Sequence, residues 1–64
     1  MFYSNRGLAY CYQDDYDKAI QDFTEAIELE PNCVDNYVYR GEAYIQIQEY
    51  DRAIEDFSQA KQLS

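Results

Sequence analysis

The sequence predicts an all-α fold of two stacked helix-turn-helix hairpins, and three features lead there. The stretch "YSNRGLAY" at Tyr3–Tyr10 returns as "YVYRGEAY" at Tyr37–Tyr44, 34 residues later. Apolar residues recur at helical spacing through each copy and beyond it. Short polar stretches, and the only proline, interrupt that spacing. Shifting the chain by 34 residues aligns 13 identities in 30 positions, from Tyr3/Tyr37 to Leu29/Leu63. A period between about 20 and 50 residues marks stacked supersecondary units.

Taken in order, the first helix carries Tyr3, Gly7 and Tyr10 on one stripe. Gln13-Asp14-Asp15 breaks the pattern, and Asp17 is the expected N-cap of a second helix bearing Ala19, Ile20, Phe23, Ala26, Ile27 and Leu29. Glu30-Pro31-Asn32-Cys33 ends it, because proline disfavours helical geometry in the residue before it. The third and fourth helices repeat the plan around Tyr37, Gly41 and Tyr44, then Ala53, Phe57 and Ala60, with Asp51 as the expected cap. Four helices of about 12–14 residues, each roughly 20 Å long, follow. Residues 1–33 form the first repeat and 34–64 the second, one structural domain in total. Gly7, Ala19 and Ala26 with their counterparts admit close helix approach. Tyr3, Tyr10, Tyr16, Tyr37, Tyr44 and Tyr50 are expected to fill the spaces beside them.

Thirteen acidic against five basic residues give a formal charge of −8, which opposes binding to nucleic acid or to an anionic membrane. No apolar run approaches the ~20 residues of a membrane span, and no basic-then-apolar leader follows Met1. A cytoplasmic protein with reduced cysteines is expected. Two cysteines and no histidine leave no disulfide framework, no metal site and no cofactor to expect. A chain this short buries only roughly 60% of its unfolded surface, so association is expected when it stands alone, as a homo-oligomer and in its simplest form a symmetric dimer.

The motif Tyr3-x2-Arg6-Gly7-x2-Tyr10, Ala19-x3-Phe23, Pro31, repeated as Tyr37-x2-Arg40-Gly41-x2-Tyr44, Ala53-x3-Phe57, resembles the tetratricopeptide repeat. The resemblance covers nearly the whole chain. It implies a right-handed superhelical stack of hairpins, an α-solenoid fragment, and a non-catalytic protein–protein interaction module. Tyrosine replaces the family's tryptophan, arginine its leucine, and Asp14 and Gln48 its turn glycine. Aspartate tolerates a left-handed turn better than glutamine, so the second turn is expected to differ slightly.

No positioned nucleophile and base are legible, and no enzyme is expected. "DDYD" at Asp14–Asp17 lacks the glycine and downstream glutamate of a calcium loop, and reads as a solvated turn with a helix cap. Cys11 and Cys33 stand far apart in sequence with no neighbouring lysine or histidine, unlike a redox pair. The resemblance further implies that the first helix of each hairpin lines a concave groove. Its positions here are Met1, Ser4, Asn5, Leu8, Cys11 and Tyr12, then Asp35, Val38, Tyr39, Glu42, Ile45 and Gln46. Asn5 holds a place where relatives bond a peptide backbone, whereas Ser4, Leu8, Asp35 and Tyr39 stand where a carboxylate clamp would need lysines and asparagines. The expected function is capture of a protein or peptide segment, apolar and basic, by a fragment of a longer array. The alternative is a self-assembling structural module whose partner is another copy of itself.

Arginine before the glycine is matched twice by aspartate before the second-helix phenylalanine: Arg6 with Asp22, and Arg40 with Asp56. A lone charge in a helix–helix seam would cost several kcal/mol, and two complementary ones need not. Structural ion pairs are therefore expected, either within each hairpin or from Asp22 across to Arg40, in place of exposed charges that make no contact.

Overall fold

The computed structural model describes residues 2–64, and among them four helices: α1 (Phe2–Tyr12), α2 (Tyr16–Leu29), α3 (Val34–Gln46) and α4 (Tyr50–Leu63). Each helix packs on the next, α1 on α2, α2 on α3 and α3 on α4. The fold is an all-α stack of two helix-turn-helix hairpins, with the inner helices α2 and α3 forming the boundary between them.

Glycine sets the spacing inside each hairpin. A Cβ on Gly7 would lie 2.7 Å from the Phe23 ring, and one on Gly41 would lie 2.8 Å from the Phe57 ring. Phe23 is fully buried, together with Ala19 and Ala26 of α2 and Ala43 of α3. A second cluster, Ile27, Tyr37 and Ala60 flanked by Val34, Val38 and Leu63, joins α2, α3 and α4 toward the C-terminal end of the stack.

The two intrahairpin turns are alike. Asp14 and Gln48 adopt left-handed backbone, φ 61° and 65°. The next N–H in each case, from Asp15 and Glu49, bonds back to the carbonyl of Tyr10 and Tyr44, both at 2.9 Å. This is the helix-ending arrangement that a left-handed residue makes possible. Glutamine thus adopts the turn as aspartate does, and the expected difference between the turns is absent.

The N-caps are Asp15 and Glu49, not Asp17 and Asp51. The left-handed residue reverses the chain so sharply that the following residue already serves as cap. Asp17 and Asp51 fall in the first turn, where their charges face the positive end of the helix dipole. Asp15 accepts from the Lys18 N–H at 3.4 Å, while Glu49 makes no side-chain cap bond.

Between the hairpins, the Glu30 N–H closes α2 on the Ala26 carbonyl at 2.9 Å. The Tyr37 hydroxyl donates to the Pro31 carbonyl at 2.9 Å, tying α3 to the link that precedes it. Of the six tyrosines expected inside, Tyr37 is buried and Tyr3, Tyr10, Tyr16 and Tyr44 are half-buried. Tyr50 is 56% exposed. Its counterpart Tyr16 is sheltered beside α3, whereas no described helix follows α4.

Candidate functional site

The side-by-side first helices of the two hairpins create a cleft. Leu8, Cys11 and Tyr12 come from α1, Tyr39, Glu42, Ala43 and Gln46 from α3, and Tyr16 from the start of α2; together they line about 300 Å³. Such a volume takes a large side chain or a short run of peptide. Tyr12 is 88% exposed. Tyr39 is half-buried, with its ring tilted 31° against Phe23 and centroids 5.6 Å apart, so it belongs to the hairpin boundary as well as to the cleft. Glu42 places a carboxylate on the cleft beside Cys11. Burial, and then the charge of Glu42, push the Cys11 thiol above its ordinary value.

The remaining groove positions lie outside this cleft. Val38 packs against the Ile27, Tyr37 and Ala60 cluster. Ile45, Asn5 and Asp35 are exposed, and Met1 lies outside the described residues. Ser4 donates to Asn36 Oδ1 at 2.5 Å, linking α1 to α3. Asn36 is buried, and its Nδ2 has no hydrogen-bond partner among the described residues. Sequence reasoning overlooked Asn36 and the cleft role of Tyr16. The signal for Asn36 was a polar residue where the first repeat has Phe2.

Both hairpin seams hold a charge pair. Arg6 Nε and Nη2 donate to Asp22 Oδ2 and Oδ1 at 2.8 and 2.7 Å. Arg40 Nε and Nη2 donate to Asp56 Oδ2 and Oδ1 at 2.9 and 2.7 Å. Each is a two-pronged match of planar fork to carboxylate, within one hairpin. Asp22 and Asp56 are each 4% exposed. The arginines differ: 45% of the Arg6 side chain is exposed against 19% for Arg40, because α2 covers Arg40 and Thr24 Oγ1 accepts from its Nη1 at 3.2 Å. The bonds to the aspartates raise both guanidinium pKa values above the ordinary arginine value. These arginines stay charged wherever the chain folds.

Among the described residues no group of three or more potential ligands gathers to hold a metal ion, and no helix is long and apolar enough to cross a membrane. The cleft presents an aromatic and aliphatic surface with the carboxylate of Glu42 on it.

Family comparison agrees with this architecture. Residues 1–33 match one sequence model of the tetratricopeptide repeat, and residues 34–64 match a second. No curated protein matches the chain. Tetratricopeptide repeats generally mediate protein–protein interaction and are generally non-catalytic. The period, the paired hairpins and the two matches lead to one conclusion: the chain belongs to the tetratricopeptide repeat family, as two tandem repeats.

Proposed function

We propose that the chain captures an extended or helical segment of another protein in the cleft between α1 and α3. The observation that supports this most directly is the convergence of Leu8, Tyr12 and Tyr39 with Glu42 on one surface spanning both repeats. Aromatic anchors supply most of the energy at such surfaces, while charges steer and select. Glu42 at the cleft and Asp35 on the exposed side of α3 favour a partner that pairs an apolar anchor with flanking lysine or arginine. Ile45 adds exposed apolar surface farther along α3, outside the cleft itself, while Val38 packs against the Ile27, Tyr37 and Ala60 cluster.

Calorimetric titration with synthetic peptides tests the proposal. Peptides carrying an aromatic or aliphatic anchor between basic residues are expected to bind, and their acidic counterparts are not. Tyr12→Ala and Glu42→Gln should each weaken binding. Equal binding of both peptide sets, or loss of binding on the α2 substitution Glu25→Ala with Tyr12→Ala silent, would overturn it.

A further inference from the structure

The boundary between the hairpins is a worked interface, and both of its halves recur on the outside of the molecule. On one side α2 presents Tyr16, Phe23 and Thr24, with Ile20 half-buried one turn before Thr24; on the other α3 presents Tyr39, Arg40 and Ala43. The 34-residue repeat places Tyr50, Ile54, Phe57 and Ser58 at the first set of positions on α4, and Asn5, Arg6 and Ala9 at the second set on α1. Exposure tracks this duplication. Ala43 is 1% exposed, while Ala9 lies in the open. Ile20 and Tyr16 are half-buried, while Ile54 and Tyr50 are 62% and 56% exposed.

We infer that the outer face of α4 docks the outer face of α1 of a second copy of this chain, head to tail. The internal boundary shows what such a contact looks like: a flat alanine of the incoming helix set against the aromatic and β-branched residues of the outgoing one. Ser58 keeps a hydroxyl at the position where Thr24 accepts from Arg40, so the repeat preserves the polar character of that place on the α4 face. Charge also permits the match. α1 contains no acidic residue, so laying it against α4 brings no two carboxylates together, which no other helix of this −8 chain can offer.

Two positions weaken the copy relative to the original. Lys61 stands where Ile27 packs on Tyr37, and Asn5 stands where Tyr39 meets Phe23. The association is therefore reversible, and looser than the boundary inside the chain. Because the two faces are different surfaces, the contact does not close on itself as a two-fold dimer does; each addition leaves a fresh pair of faces, and growth is open-ended.

Sedimentation equilibrium with two variants tests this. For the unmodified chain, the mass should rise continuously from micromolar to millimolar concentration, through and beyond two chains. Ile54→Glu blocks only the α4 face, and Ala9→Glu only the α1 face. Both sites are exposed, and circular dichroism should show unchanged helix content. Each variant alone is expected to stay at one chain mass, and an equimolar mixture to give a 1:1 pair that grows no further. A two-fold dimer would stop at two chains and would survive in one variant alone. That result, a mixture that fails to pair, or an unmodified chain that stays monomeric to millimolar concentration would overturn the inference; the last would leave the α4 face to a different hairpin.

Discussion

Arg40 and Asp56 meet through two parallel hydrogen bonds in a seam where the aspartate is almost wholly shielded from water. Shielding makes the pair costly to break and cheap to replace, because the desolvation of two ions offsets much of their attraction.

Asp56→Ala should therefore destabilise the chain by about 3 kcal/mol in urea unfolding, since it leaves Arg40 covered by α2 with its main partner gone. Asp22→Ala should cost less, because Arg6 is more open to water. The joint replacement Arg40→Leu with Asp56→Tyr should recover most of the loss. A double-mutant cycle with no coupling between the two sites would contradict this account.

Tyr12→Ala should weaken a cleft-bound partner by roughly 1–3 kcal/mol, chiefly through faster dissociation, with helix content and melting unchanged. Tyr39→Ala should lower both affinity and stability, because its ring also rests on Phe23. Asp35→Asn should slow association and reduce its dependence on salt.

The Cys11 thiol offers a reporter in the same cleft. Its raised pKa keeps it protonated at neutral pH, so alkylation should be slower than for a free thiol and slower still with a partner bound. The Glu42→Gln change removes one cause of the shift and should speed the reaction. For the sign of the pH effect, a folded-state pKa above the ordinary 9.0 means that this group's contribution is complete below that value and is lost as pH rises beyond it. Stability should fall on the alkaline side.

Gly7→Ala and Gly41→Ala should each cost roughly 1–3 kcal/mol, since a methyl group at either site enters the space of a phenylalanine ring. Gln48→Gly should act oppositely, gaining about 0.5–1 kcal/mol: relief of the left-handed strain outweighs the added freedom of the unfolded chain. Thermal melts of the three variants decide both statements.

The hairpins, their order and their small-to-large packing were legible because the chain states each of them twice. Repetition also misled. It assigned Tyr50 the burial of Tyr16, although burial depends on what stands opposite and not on the position within a repeat. The caps were read two residues late because aspartates occupy 14, 15 and 17, and only the left-handed turn at Asp14 selects among them. For the charge pairs, spacing alone left two partners, Asp22 and Asp56, open to Arg40. The choice follows from the direction in which α1 and α3 aim their side chains, and Thr24, a neutral residue, gave no hint that it would receive Arg40. The cleft was legible in part: Leu8, Tyr12, Tyr39 and Glu42 line it, whereas Val38 and Ser4 turn to other contacts.

The seam pairs bear on how such a chain can be recombined. A helix that carries arginine before its glycine must be followed by one that offers a carboxylate; joined to a second helix with an apolar residue at that place, it would strand a cation against hydrocarbon. Helices here are consequently not interchangeable one at a time, and the smallest segment that can be duplicated, deleted or grafted without penalty is the whole hairpin. Thr24 loosens the rule only slightly, since the hydroxyl that Arg40 uses in the preceding hairpin has a substitute in Ser58 of the next. Lengthening by duplication therefore keeps every junction chemically supplied.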